Sequence, residues 1–346
     1  MTKVGIIGAG KMGSGIFYFL ISHPFDLVWI CSERTNLEKL LKQFSKRIRR
    51  ALETGTIDRD RYDNLLRTPV TADLRALQDC DLVIEAISEK QEDKQRLFGE
   101  IDGIVKQEAV FTSNSSSINP SALLPLQDSR RQVAGLHFFY PVQMADIVEI
   151  TLPSSVTADS VKMLESFLQT IGRSYITLDE QNSFILNRIF LEVQNAAFRI
   201  VKDGSCTFEQ MDQLVRSNLF PFGIFDFCDA VGLDTMMVSI RNYIREYPLK
   251  TPYEPFLSAL EKLVAAGKLG VKTHEGFYKY PLTDHAVEPP EYSADIEEHL
   301  RHTWLSACER FTASLSVPQE NMTHAIEEYF GVGQDPLGKL LLKFNR

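Results

Sequence analysis

Gly8-Ala9-Gly10-Lys11-Met12-Gly13 spells GxGxxG a few positions into the chain. In a turn between a strand and a helix, the first glycine permits the bend, the second lets a pyrophosphate approach the backbone, and the third packs helix against strand. The helix N-terminus adds amide donors and positive potential. Alone the pattern is weak, because chance loops share it. Its place directly after the apolar run 4–7 points to a dinucleotide held by Gly8, Gly10, Lys11, Met12 and Gly13. No GKS or GKT follows at Walker spacing, which disfavours a nucleotide hydrolase.

Bound beside a nicotinamide, an alcohol is oxidised only if a base takes its proton, and histidine is the natural candidate. The chain has His23, His137, His274, His285, His299, His302 and His324. His137 stands apart because it ends the apolar run 133–136, at the sheet edge where open α/β folds bind ligands. Twelve residues on, Glu149 interrupts Ile147-Val148-Glu149-Ile150. A carboxylate in an apolar strand needs a partner. If the two strands are neighbours, Glu149 can hold one ring nitrogen of His137 and stabilise the imidazolium. A structural ion pair, or an edge glutamate facing water, would use the same residues, and the spacing leaves these readings open.

The elements that must carry these groups follow from periodicity. Short apolar runs at 4–7, 27–31, 82–86, 110–113, 133–136, 147–150 and 175–178 alternate with helical patterns, the signature of a mostly parallel sheet. The fold expected is α/β, a Rossmann-type doubly wound sheet followed by an all-helical C-terminal domain. A single long helix is expected over 36–66, its first half crowded with Lys39, Lys42, Lys46, Arg47, Arg49 and Arg50. That face is either merely solvated or a contact for an anionic nucleotide.

From about Gln181 the pattern is helical only, giving a dinucleotide-binding domain over 1–181 and a helical substrate or dimerisation domain over 182–285. Residues 286–346 read as a worn copy of that second domain. Arg188, Phe198, Met211 and Pro221-Phe222-Gly223 are echoed by Arg301, Phe311, Met322 and Pro336-Leu337-Gly338, with Leu300 where the first copy has Asn187. Chance similarity among amphipathic helices would also give such an echo.

Composition bounds the function classes. The 346 residues suit two domains, and 44% hydrophobic with 24% charged residues is the range of globular proteins. A net charge of −9 argues against a general nucleic-acid binder. Cys31, Cys80, Cys206, Cys228 and Cys308 form no CxxC pair, so neither a zinc site nor a disulfide framework is indicated. No apolar run approaches the roughly 20 residues of a membrane helix. With no leader pattern ahead of the first strand and no SKL-type terminus, a cytoplasmic enzyme without metal, membrane or nucleic-acid partners is expected.

Four ordered motifs carry a resemblance. Thr112-Ser113-Asn114-Ser115-Ser116-Ser117, Gly135-Leu136-His137-Phe138-Phe139-Tyr140-Pro141-Val142, Ile147-Val148-Glu149 and Phe184-Ile185-Leu186-Asn187-Arg188 together resemble the L-3-hydroxyacyl-CoA dehydrogenase family. The separations, 21 residues from Ser116 to His137 and 50 from His137 to Asn187, match as well. The resemblance implies oxidation of the 3-hydroxyl of an acyl-CoA, with His137 the base, Glu149 its orienting partner, and Ser116 and Asn187 bonded to the reacting oxygen. It implies NAD as cofactor, with contacts at Asn114, Glu89, Lys94 and Lys272. It also implies a CoA contact near the basic helix, and pairing of the helical domain with its copy in a second subunit.

Three positions depart from the family pattern. Tyr140 replaces an Asn beside the base, His274 replaces a Gly and is expected to take an unusual backbone conformation, and Cys31 stands where the ribose-binding Asp ends the second strand. The last leaves NAD against NADP open. Two other readings remain at this point: a dinucleotide-binding sensor with little turnover, and a dehydrogenase of a free 3-hydroxy acid.

Overall fold

The computed structural model describes residues 2–124, 131–246, 253–282, 288–313, 315 and 317–332. His285 and Pro336-Leu337-Gly338 lie outside them. The chain divides into two compact units, Met1–Ser183 and Phe184–Arg346. The division falls close to the boundary expected near 181, and the described residues from 288 onward belong to the second unit.

The first unit alternates strands and helices: β1 (Lys3–Ile7), α1 (Lys11–Leu20), β2 (Asp26–Ile30), α2 (Leu37–Glu53), α3 (Arg59–Leu65), β3 (Val70–Thr71), β4 (Leu82–Glu85), α4 (Gln91–Asp102), β5 (Val110–Ser113), β6 (Gln132–Phe138), β7 (Ile147–Leu152), α5 (Ala158–Thr170) and β8 (Ser174–Asp179). The sheet order is β3-β2-β1-β4-β5-β6-β7-β8. Its first six strands are parallel, β6 and β7 pair antiparallel, and β8 runs parallel to β7. Both faces are covered, as a parallel sheet requires. Alternation assigns Leu27 and Trp29 of β2 to the core under α1, and Val28 and Ile30 to the core on the other side. The strand order reverses between β1 and β4, so the loops after them flank the crevice where such sheets take ligands.

Three elements differ from expectation. The helix expected over 36–66 is two helices, because Gly55 turns left-handed at φ +70° and Asp58 then caps α3 through the Arg61 amide. The two-residue strand β3 is too short to give an apolar run. Strand β6 extends past 136 because its ladder with β7 continues to Phe138 opposite Val148, so His137 lies within the strand rather than beyond it.

The second unit is helical: α6 (Ile185–Lys202), α7 (Phe208–Asn218), α8 (Ile224–Val231), α9 (Leu233–Glu246), α10 (Glu254–Ala265), α11 (Ser293–Thr312) and α12 (Gln319–Phe330). Helix α6 buries residues on every side, including Arg188, Glu192 and Asn195, as befits a helix enclosed by neighbours. Helices α10, α11 and α12 all pack on it. Arg310 of α11 pairs with Glu192, and the Arg188 guanidinium lies 4.7 Å from the Phe311 ring centre.

His274 adopts the left-handed conformation its position demands, φ +60° and ψ 9°. A residue with Cβ is strained there, so His274→Gly is expected to raise stability by up to about 1 kcal/mol, offset in part by the freer unfolded chain. A chemical denaturation curve checks this. A lower midpoint would mean that the His274 side chain contributes more than its backbone costs.

Candidate active site

The glycine turn behaves as its three roles require. A Cβ at Gly8, φ +123°, would come within 2.5 Å of the Ala86 carbonyl oxygen, and one at Gly13 within 2.3 Å of the Gly8 oxygen. A Cβ at Gly10 would meet nothing within 4 Å. The turn is closed where strand and helix touch and open where a pyrophosphate would approach, so its residues fit a dinucleotide. Trp29 braces it by donating its indole N–H to the Gly8 carbonyl at 2.8 Å. Lys11 is exposed, with its ammonium 5.9 Å from the centre of the Tyr140 ring, and Met12 is half-buried against the core.

Cys31 follows β2 with only 3% exposure, among the apolar residues under α1. Burial pushes its thiol up to about 11, so it stays neutral at physiological pH.

After β4 the chain builds a buried polar network. Glu85, fully buried, accepts both from the Lys94 ammonium at 2.7 and 2.9 Å and from the Ser113 hydroxyl at 2.6 Å. Glu89, 3.6 Å from the same ammonium, takes the Ser115 hydroxyl at 2.5 Å, the Ser117 hydroxyl at 2.8 Å and the Ser116 amide at 3.0 Å. Residues 115–117, in the loop after β5, are therefore shaped around the Glu89 carboxylate, which sets where Ser116 stands. Asn114 ties that loop to β6 by accepting the Phe138 amide at 2.8 Å.

His137 and Glu149 are directly opposite in the β6–β7 register, and His137 Nδ1 lies 2.9 Å from Glu149 Oε2. Glu149 is fully buried and His137 is 5% exposed, its ring 4.3 Å from that of Phe139, centre to centre. Because β6 runs parallel to β1, β4 and β5, His137 shares an edge of the sheet with the glycine turn and loop 112–117.

The remaining two residues belong to the second unit. Asn187 sits half-buried in the first turn of α6, where its Oδ1 accepts the Tyr329 hydroxyl at 2.9 Å and its Nδ2 donates to the Tyr243 hydroxyl at 3.4 Å. Lys272 is ion-paired with Asp234.

Residues 3–181 match the family model for the 3-hydroxyacyl-CoA dehydrogenase NAD binding domain, and residues 184–280 match the model for the C-terminal domain of the same enzymes. The chain belongs to the 3-hydroxyacyl-CoA dehydrogenase family. It is 32% identical over 279 residues to a probable 3-hydroxybutyryl-CoA dehydrogenase of Deinococcus radiodurans, covering 80% of this chain and 100% of that one. It is 29% identical over 288 residues to the human mitochondrial hydroxyacyl-coenzyme A dehydrogenase, covering 81% and 91%. Among solved structures, (S)-3-hydroxybutyryl-CoA dehydrogenase from Ralstonia eutropha is similar with a TM-score of 0.70 at 27% identity, over 82% of this chain and 100% of that chain. The cofactor of this dehydrogenase is thus NAD, and the fold is the Rossmann sheet with a helical C-terminal domain. Among the described residues no helix is long and apolar enough to cross a membrane.

Glu85 and Ser113 were not singled out from sequence, although a glutamate closing an apolar strand is the same signal that marks Glu149. Their network gives Lys94 a test. Removing one member of a fully buried, hydrogen-bonded ion pair leaves an uncompensated charge and costs about 3–5 kcal/mol. Lys94→Ala is therefore expected to lower the melting temperature of the cofactor-free protein. Unchanged thermal stability with only weaker NADH binding would mean that Lys94 acts on the cofactor directly and not through loop 112–117.

Proposed function

We propose that the chain interconverts an L-3-hydroxyacyl-CoA and the corresponding 3-ketoacyl-CoA, with His137 and Glu149 as the acid–base dyad. The contact between His137 Nδ1 and Glu149 in a dry strand pair carries this reading. With Nδ1 engaged by the carboxylate, Nε2 takes the 3-hydroxyl proton in the oxidative direction and returns it in the reductive one. Glu149 fixes the ring tautomer and stabilises the imidazolium that forms. Ser116 and Asn187 donate to the reacting oxygen and polarise the carbonyl. NAD, when bound, supplies the hydride acceptor.

The glycine turn with Lys11 and Met12 holds the pyrophosphate, and Asn114, Glu89, Lys94 and Lys272 support the cofactor as the family resemblance implies. Cys31 takes the place of a ribose-binding acid. A neutral thiol there neither accepts strongly from ribose hydroxyls nor repels a 2′-phosphate, and Arg34 is exposed nearby, so use of NADP beside NAD is part of the proposal.

A groove of about 650 Å³ between α1 and α2 is lined by Tyr18, Gln43, Lys46, Arg47 and Arg50. Three cations on one wall suit the phosphates of a CoA ester and give a free 3-hydroxy acid nothing comparable to bind. The complete set of Ser116, His137, Glu149 and Asn187 speaks against a sensor without turnover. A cytoplasmic homodimer pairing through the helical domain completes the reading. The test is product identification: acetoacetyl-CoA and NADH incubated with the protein yield 3-hydroxybutyryl-CoA of S configuration on chiral chromatography. Absence of that product at high enzyme concentration would refute the proposal.

A further inference from the structure

The hydroxyl on the Asn187 amide comes from α12, which lies wholly beyond residue 280, where the match to the family's C-terminal domain ends. Helix α12 is fixed in place by an apolar stripe: Met322, Ala325, Ile326 and Phe330 are all buried. Phe330 is fully buried, with its ring 5.8 Å from Phe190, 5.0 Å from Phe220 and 5.4 Å from Trp304, centre to centre. Directly after it Gly331 ends the helix in the left-handed conformation, and a Cβ there would come within 2.7 Å of Pro221. The Tyr329 ring, next in sequence to this anchor, lies edge-on to Phe190 of α6 at 6.3 Å. Its hydroxyl reaches Asn187 one turn earlier on the same helix.

We propose that Tyr329 is a positioning residue for Asn187, so that the C-terminal extension of this chain takes part in organising its active site. The inference rests on the reading of Asn187 as a donor to the substrate oxygen. A primary amide has an acceptor end and a donor end, and only the donor end can polarise a carbonyl. A hydroxyl donating to Oδ1 occupies the acceptor end and holds the amide with Nδ2 toward the buried Tyr243 hydroxyl, which takes one N–H and leaves the other as the donor for substrate. The bond also polarises the amide N–H, since donors and acceptors in a chain strengthen one another. Tyr243, which accepts from Nδ2 at the longer distance of 3.4 Å, agrees with that orientation. Tyr329 itself touches no reacting atom.

The test is a double-mutant cycle on the full chain, with Tyr329→Phe, Asn187→Ala and the pair. Phenylalanine keeps the ring contact with Phe190 and removes the hydroxyl alone. Tyr329→Phe is expected to lower kcat for acetoacetyl-CoA reduction by roughly three- to tenfold, the worth of one hydrogen bond. The KM for NADH should stay as in the wild type, and the melting temperature should fall by no more than the few degrees that one hydrogen bond is worth. In the Asn187→Ala background the same substitution is expected to change kcat no further, because a residue acting through Asn187 has nothing left to position. Unchanged kcat for Tyr329→Phe, while Asn187→Ala is slow, would overturn the proposal and leave the role of Asn187 standing. An equal loss in both backgrounds would overturn it too, as an effect that does not pass through Asn187. Wild-type turnover of Asn187→Ala would remove the underlying reading and the proposal with it.

Discussion

His137→Gln is expected to fold, to bind NADH as the wild type does and to turn over about a hundredfold more slowly or worse, the ordinary consequence of losing a general base. The substitution suits the site because glutamine can still place a polar group opposite Glu149 across the β6–β7 pair, so the fully buried carboxylate keeps a donor. Glu149→Gln is expected to reach a similar rate by another route. The imidazole remains, but the carboxylate that orients it and stabilises its charged form has gone. In the proposed dyad the two residues act as a unit, so the double substitution should cost little more than either single one. Steady-state rates with acetoacetyl-CoA, together with NADH titration by fluorescence, check both variants. Near-normal turnover in either would remove the dyad from the mechanism.

Deletion of residues 291–346 is expected to produce aggregated protein, not a soluble enzyme of reduced activity. Helices α11 and α12 contribute Leu300, Trp304, Met322, Ala325 and Phe330 to the interior of the second unit, each 3% exposed or less. Losing one large core side chain costs about 2–5 kcal/mol, and total stability is commonly about 5–15 kcal/mol, so losing this set together exceeds what the remainder can supply. The face of α6 they cover would then be exposed as a contiguous apolar patch. The buried Glu192 would also lose Arg310. Light scattering on the truncated protein checks this. A soluble truncation with unchanged mass per particle and full activity would show that the extension is dispensable.

What could be read from the sequence depended on how local the determining contacts are. The glycine turn was legible because strand, turn and helix are contiguous, and Gly8 and Gly13 each answer a steric demand within about eighty residues, Gly8 against Ala86 being the longer reach. His137 and Glu149 were legible as candidates because a charged residue in an apolar strand needs a partner, and an antiparallel pair joined by a short connection places position 149 opposite position 137. The unusual conformation of His274 was legible from a single missing glycine. The break at Gly55 was hidden by the amphipathic pattern running through it on both sides.

The polar network around Glu85 was harder, since it joins β4, α4 and β5, and no spacing rule links Glu85 to Ser113 or Glu89 to Ser117. Tyr329 was beyond reach. The contact joins residues 142 positions apart, and the echo read between the two segments suggested only that the tail has Leu300 in place of Asn187. The tail's part emerges from where α12 sets a hydroxyl on a residue of α6.

The central claim is that the chain reduces the 3-keto group of a CoA thioester using His137. The most direct measurement is the initial rate of NADH oxidation, followed by absorbance, with acetoacetyl-CoA against free acetoacetate at equal concentration. The account predicts rapid oxidation with the thioester and, because Lys46, Arg47 and Arg50 then have no phosphates to bind, a kcat/KM lower by about a hundredfold or more with the free acid, the equivalent of two charge-assisted contacts. Equal rates with the two substrates, or no oxidation with the thioester, would contradict it.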